Sequence, residues 1–147
     1  MLHHTKDKGD RGLGFVISDL LQSGVQPAIL LSEHLPFDCI AIAPDGRLSR
    51  LSVKYRAAKD GAITVSMISS WADRHGTHSR RPDFAAFDAV AVYCPDTALV
   101  YYVRCDELKT PRFLLRLDKP KNGQSVGVRY AALYCGALRL FEPESQT

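Results

Sequence analysis

Pro36-Phe-Asp-Cys-Ile-Ala-Ile-Ala43, Pro44-Asp-Gly46 and Arg47-Leu-Ser-Arg-Leu-Ser-Val-Lys54 follow one another without a break. Two apolar, β-favouring runs flank a turn tripeptide, so the segment predicts a β-hairpin. Ala43-Pro44-Asp45-Gly46 suits a type I turn, in which proline presets φ at the second position and glycine takes the left-handed geometry that follows. A three-residue loop ending in a G1 bulge pairs Ala43 with Arg47. Counting outward then sets Asp38 opposite Ser52 and Pro36 opposite Lys54. Directly paired and alternate residues share a face, so Asp38, Ser52 and Lys54 all project from one side. A two-residue loop at Asp45-Gly46 would put Asp38 opposite Val53 and away from Lys54. The turn chemistry favours the first register. Taken alone, a carboxylate beside an ammonium on a hairpin is most often a surface ion pair.

Pro36-Phe37-Asp38, a hairpin turn, then Ser52-Val53-Lys54 resembles the core of the PD-(D/E)XK nuclease superfamily. In that superfamily an Asp on one strand, and an acidic residue two before a Lys on the next, hold magnesium against the scissile phosphate. The resemblance implies Asp38 as a metal ligand, Lys54 as the lysine near the attacking water, and Ser52 at the position that is usually Glu, Asp or sometimes Gln. That serine is a departure, and it removes a charge from the implied site. Mg²⁺, or Mn²⁺ in its place, is a hard cation that takes oxygen ligands, so Asp38, the backbone carbonyl of Val53 and waters are the expected donors. A lysine beside them orients the attacking water and stabilises charge on the phosphorane.

The chain of 147 residues suits one domain with a single core. Its 46% hydrophobic and 24% charged content is that of an ordinary globular protein and argues against disordered and fibrous classes. No run is long enough to cross a bilayer, and no basic-then-apolar leader is visible. Cys39, Cys94, Cys105 and Cys135 are widely spaced, without a Cys-x-x-Cys pair, which predicts a reducing cytoplasm and no structural zinc. The net charge of +3 is unevenly placed. Between Arg50 and Pro82, Arg50, Lys54, Arg56, Lys59, Arg74, Arg80 and Arg81 face only Asp60 and Asp73, a footprint expected of a phosphate-backbone binder.

Along the chain, Met1–Lys8 reads as polar and loose. Leu13, Val16, Ile17, Leu20 and Leu21 recur at helical spacing and predict a helix over 10–22, with Asp10 as N-cap and Ser23-Gly24 as its stop. Lys8-Gly9-Asp10-Arg11-Gly12 ahead of it resembles the start of the cyanobacterial intron-encoded homing endonuclease branch. That branch carries a Glu on this helix facing the metal, and its position here is Leu13, a second missing acid. Val25–Leu31 predicts a buried strand. Glu33 is a possible spare ligand. Lys59-Asp60-Gly61 turns the hairpin's second strand back into a third antiparallel strand, Ala62–Met67, with Ile63, Val65 and Met67 facing one way.

Residues 69–83 break the periodicity and predict a long loop rich in Arg and His. Trp71, Arg74, His75, His78, Arg80 and Arg81 suit contacts with phosphates and bases. Phe87–Cys94 and Ala98–Val103 predict a second, central hairpin. Asp88, at its start, is assigned a structural role. Phe113–Leu117 predicts a further strand. Pro120-Lys121-Asn122-Gly123-Gln124 followed by Ala131-x-x-Tyr134 again resembles the homing-endonuclease branch, where Pro-Lys-Asn leads into a terminal helix.

The resemblance spans Lys8 to about Tyr134. It implies an α/β fold with a restriction-endonuclease-like core, a central mixed β-sheet flanked by helices. It also implies Mg²⁺-dependent recognition and cleavage of double-stranded DNA. The expected DNA contacts are Arg56, Lys59, Arg74, His75, His78, Arg80, Arg81, Lys121, Asn122 and Gln124, with Asn122 and Gln124 equally suited to making the turn. Two cuts need two sites, so a homodimer or homotetramer is expected. The alternative is a relative of the same fold that binds DNA and has lost the chemistry, as Leu13 and Ser52 suggest.

Overall fold

A helix of 19 residues, α1 (His4–Gln22), precedes nine strands: β1 (Gln26–Ile29), β2 (Cys39–Ile42), β3 (Leu48–Tyr55), β4 (Ala62–Ser66), β5 (Ser69–Asp73), β6 (Gly76–Arg80), β7 (Ala89–Cys94), β8 (Leu99–Arg104) and β9 (Arg112–Arg116). The computed structural model describes residues 4–119 and 127–143, and these elements are counted within them. Five strands form a mixed sheet in the order β1-β2-β3-β7-β8. Only the β3–β7 pair is parallel. Strand β7 lies at the centre of the fold with all six residues buried, which is why its Ala-Val-Ala-Val-Tyr-Cys run is continuously apolar and does not alternate.

Each face of the sheet has its own core. On one, Val16 and Leu20 of α1 pack with Leu51, Ala91, Tyr102 and Leu140. On the other, Val90, Val92, Tyr101 and Val103 meet Ile63, Val65, Phe113 and Leu115. Gly12 is what lets α1 lie so close to β3. A Cβ there would stand 3.4 Å from Cβ of Tyr55 and 3.6 Å from a methyl of Val53, so larger side chains would lift the helix away. The Tyr102 hydroxyl donates to Asp19 at 2.6 Å and fastens the other end of the helix to β8.

Several expectations need correction. Helix α1 begins at His4, so Asp10 lies inside it and is no N-cap. The extra turns are largely exposed and carry an Asp7–Arg11 ion pair of 2.9 Å, with no apolar period to announce them. Strand β1 is a partly exposed edge and not a buried strand. Strand β4 does not add to the hairpin but pairs with β9, from Ala62 opposite Arg116 to Ser66 opposite Arg112. Its Ile63, Val65 and Met67 do share the buried side. The loop predicted over 69–83 is instead largely an antiparallel ribbon, β5–β6. In place of a helix after Ala131 there are two short 3-10 turns, Ala131–Tyr134 and Ala137–Phe141. The sheet is therefore covered by α1 on one face and mainly by the β4–β9 pair on the other, not by a helix on each.

A network of charges ties the last 3-10 turn to the sheet. The Arg139 guanidinium donates to both oxygens of Glu107, at 2.9 and 3.1 Å, and Glu107 also accepts the Arg104 amide at 3.1 Å. Arg104 in turn donates to the carbonyls of Arg139 and Glu142. Burial pushes the Glu107 carboxyl up, but the Arg139 and Arg104 hydrogen bonds outweigh it and hold the group below the usual glutamate range. The hydrogen bonds from Arg50 likewise hold Asp88 low. A carboxyl lowered by folding lends stability that is complete above its unfolded pKa and is lost as pH falls through the folded one. The thermal midpoint is therefore expected to drop steeply below about pH 4, a dependence that Glu107→Gln flattens. At neutral pH that variant should lose about 2 kcal/mol, less than the ~3–5 of a fully enclosed pair, read by urea unfolding.

Candidate active site

Turn chemistry places the site. The Gly46 amide donates to the Ala43 carbonyl at 2.9 Å, the Ala43 amide to the Arg47 carbonyl at 2.8 Å, and Gly46 takes φ +91°. Asp45 accepts the Arg47 amide and caps the turn. The ladder runs from Cys39 opposite Leu51 to Ile42 opposite Leu48, the register in which Ala43 meets Arg47. It stops at Cys39: the Asp38 amide donates to the Leu51 carbonyl at 2.8 Å, and the expected pairing of Asp38 with Ser52 is not formed. The three-residue loop is thus the one formed.

Asp38 stands one residue before β2, where Val53 has run past the end of its neighbour strand. Its carboxylate takes over the missing ladder bond, accepting the Val53 amide at 2.7 Å. In a ladder the N–H and C=O of one residue point to the same strand edge, so the Val53 carbonyl faces the Asp38 side as well. Ser52 is buried at 8% exposure. Lys54 is half-buried. Burial pushes its ammonium down from the ordinary lysine value, the charge of Arg56 pushes the same way, and Asp38 opposes both. Asp38, Val53, Ser52 and Lys54 thus lie near one end of β3, Asp38 and Val53 lining one cleft and Ser52 and Lys54 another.

Two clefts adjoin this end of β3, and they carry opposite charge. The first, of about 560 Å³, is lined by Asp38, Asp10, Glu33, Leu13, Val53 and Lys6 among others, so three carboxylates face one cation. The second, of about 470 Å³, is lined by Ser52, Lys54, Ser69, Arg80, Arg81 and Asp83 among others, so three cations face one carboxylate. Asp38 belongs to the acidic cleft and Lys54 to the basic one. The apolar Leu13 occupies the acidic wall. Among the described residues no three His, Cys, Asp or Glu side chains come together closely enough to hold a metal by themselves. The Asp38 carboxylate and the Val53 carbonyl are hard oxygen donors of the kind that suit Mg²⁺, which keeps several waters and takes further ligands from a substrate phosphate.

Of the other expected contact residues, Arg80 and Arg81 line the basic cleft. Arg56 follows β3 and donates to the Tyr55 carbonyl at 2.8 Å, while Lys59 sits at the turn that bridges to Ala62. Arg74 and His75 form the two-residue tip of the β5–β6 ribbon, and His78 and Arg80 lie on β6. Arg81 follows directly. Lys121, Asn122 and Gln124 lie outside the described residues. Arg50, counted among the basic residues, is neutralised: its guanidinium donates to both oxygens of Asp88, at 3.0 and 3.1 Å, and its amide donates to the same carboxylate at 2.8 Å. Asp88 therefore ties β3 to β7. What sequence reasoning missed is the convergence of Arg80, Arg81 and Lys54 in one cleft. Its only sequence signal is the Arg80-Arg81 pair, which says nothing of the strand it will face.

A five-stranded mixed sheet backed by a helix, with Asp and Val-Lys on adjoining strands, is the restriction-endonuclease-like α/β core. A sequence model of the PD-(D/E)XK endonuclease family matches residues 3–136. The chain belongs to that family. Among solved structures it is similar to "a bacterial homing endonuclease", I-Ssp6803I, with a TM-score of 0.74 over 95% of this chain and 93% of the other, at 19% identity. A likeness at that identity speaks for the fold. No curated protein matches the chain. No helix among the described residues is long and apolar enough to cross a membrane.

Proposed function

We propose that this protein is a site-specific endonuclease that hydrolyses double-stranded DNA with Mg²⁺, for which Mn²⁺ can substitute. The observation that carries the reading is the placement of Asp38 and Lys54 at one end of β3, each lining a cleft of its own charge. A phosphodiester under attack needs a cation on one side and a proton-handling, charge-stabilising group on the other. Asp38 and the Val53 carbonyl would hold the cation, with Ser52 at the neighbouring catalytic position, and a metal held there would polarise the phosphate and make its water a better nucleophile. Lys54 orients the water through its ammonium and stabilises the charge that builds on the phosphate oxygens. Its partial burial strengthens that interaction by excluding solvent. Arg56, Lys59, Arg74, His75, His78, Arg80, Arg81, Lys121, Asn122 and Gln124 are assigned to DNA contact. Two active sites are required to cut both strands, so the working unit is a homodimer or homotetramer acting in the cytoplasm.

Leu13 in the acidic wall and the neutral Ser52 favour a second reading, in which the fold is kept for DNA binding and the chemistry is lost. The test is incubation of a supercoiled plasmid library with Mg²⁺, Mn²⁺ or EDTA. Nicked and linear products that depend on the metal support the endonuclease. DNA binding that weakens with salt but gives no product with either metal supports the second reading.

A further inference from the structure

The β5–β6 ribbon has two unlike sides. Directly paired residues share a face, so Ser69 with Arg80, Trp71 with His78 and Asp73 with Gly76 form one side, and Ser70 with Ser79 and Ala72 with Thr77 form the other. Trp71 is 49% exposed, and its ring stacks on His78 with centroids 5.5 Å apart. No apolar core accounts for that side, and every residue of β5 is exposed. At the ribbon's base, Ser69 and Arg80 line the same cleft as Ser52 and Lys54, so the Trp71–His78–Arg80 side is the one that continues the wall of the active site.

The acids near this wall are already engaged. Asp83, in the cleft, accepts the Ala85 amide at 3.0 Å. Asp73, on the ribbon, accepts the His75 amide at 2.7 Å and lies 3.0 Å from Nε2 of His78. The cations are not matched in this way. Lys54 makes no ion pair within 4 Å, and the same holds for Arg80 and Arg81 among the described residues. Three cations around a solvent-open cleft repel one another until an anion enters.

Building on the DNA reading above, we propose that the cleft between β3 and the ribbon base seats a DNA backbone phosphate directly, without a metal ion, held by Arg80 and Arg81 beside Lys54. The ribbon is then a lengthwise extension of the active site whose Trp71–His78 side follows the backbone, while the Ser70–Ser79 side stays free. Guanidinium groups suit this role because they offer a planar fork of donors to phosphate oxygens.

The test is fluorescence anisotropy with a labelled short duplex in EDTA, across a series of salt concentrations. Each lost phosphate contact lowers the salt slope by about 0.9, so Arg80→Ala with Arg81→Ala should lower it by about 2 and weaken binding at least about tenfold at low salt. Arg80→Lys with Arg81→Lys keeps the charge and should keep most of the slope. Ser70→Ala with Ser79→Ala, on the far side, should match the wild type. A double-alanine variant that retains the wild-type slope and melting temperature overturns the phosphate seat alone. Wild-type protein that binds no DNA at any salt concentration overturns the DNA reading together with it.

Discussion

Plasmid cleavage is expected to fall at least about 10²-fold in Asp38→Ala and in Lys54→Ala, the range typical of removing a charge-stabilising or proton-handling group. The two variants should fail for different reasons, and their stabilities should show it. Asp38→Ala also removes the acceptor of the Val53 amide at the end of the β2–β3 ladder, so a loss of about 0.5–1.5 kcal/mol is expected on top of the lost activity. Lys54 is a half-buried cation whose burial disfavours its charge. Lys54→Met keeps the aliphatic stem and discards the penalty, so it should melt no lower than wild type while cutting no DNA. Differential scanning calorimetry alongside the plasmid assay reads both. Cleavage that survives both substitutions would place the chemistry elsewhere, and a Lys54→Met variant that melts several degrees lower would mean that the ammonium stabilises the fold.

What could be read from the sequence follows from what each signal depends on. The register of the central hairpin was legible because Pro44, Asp45 and Gly46 determine it locally, but the pairing ends at Cys39 and does not reach Asp38. The β7–β8 pair was legible because burial on both faces leaves a continuous apolar run. The partner of β4 was not legible. Its pairing with β9 joins residues about fifty positions apart, and the Lys59-Asp60-Gly61 turn argues equally well for a return onto β3. The ribbon escaped detection because neither side is buried, so no alternation of apolar and polar residues marks it. The exposed first turns of α1 escaped for the same reason.

Charge counting had a similar limit. It correctly marked residues 50–82 as basic, but Arg50 is bound to Asp88, and Arg80 and Arg81 acquire their meaning only by facing Lys54. Leu13 and Ser52 were singled out by the resemblance alone, as positions where it implies an acid. Their setting was not visible from it. Leu13 faces the acidic cleft with Asp38, whereas Ser52 belongs to the basic one. An acid introduced at either position would therefore act in a different cleft.

That difference sets the second large expectation. Ser52→Glu places a carboxylate two residues before Lys54 and next to Val53, whose amide Asp38 holds, and Leu13→Glu adds one to the wall where Asp38 already stands. Cation affinity rises with the charge of its ligands, so the double variant should bind Mn²⁺ at least about tenfold more tightly than wild type by calorimetry. Without metal the variant should be less stable, since Ser52 is buried and a larger side chain there costs roughly 1–3 kcal/mol, and since a new acid at Leu13 adds to an already negative cleft. Metal binding to the folded state alone then restores stability by mass action, so its melting temperature should climb with Mn²⁺ concentration while that of wild type barely moves. Ser52→Glu also lowers the positive charge of the Lys54 cleft, so DNA binding in EDTA should weaken as metal binding strengthens. A double variant with wild-type Mn²⁺ affinity and a metal-independent melting temperature would mean that these positions do not face a cation site. Cleavage that rises with the restored acids would show that the wild-type site is a lean nuclease centre, one that depends on the DNA phosphate to complete the coordination its own side chains leave open.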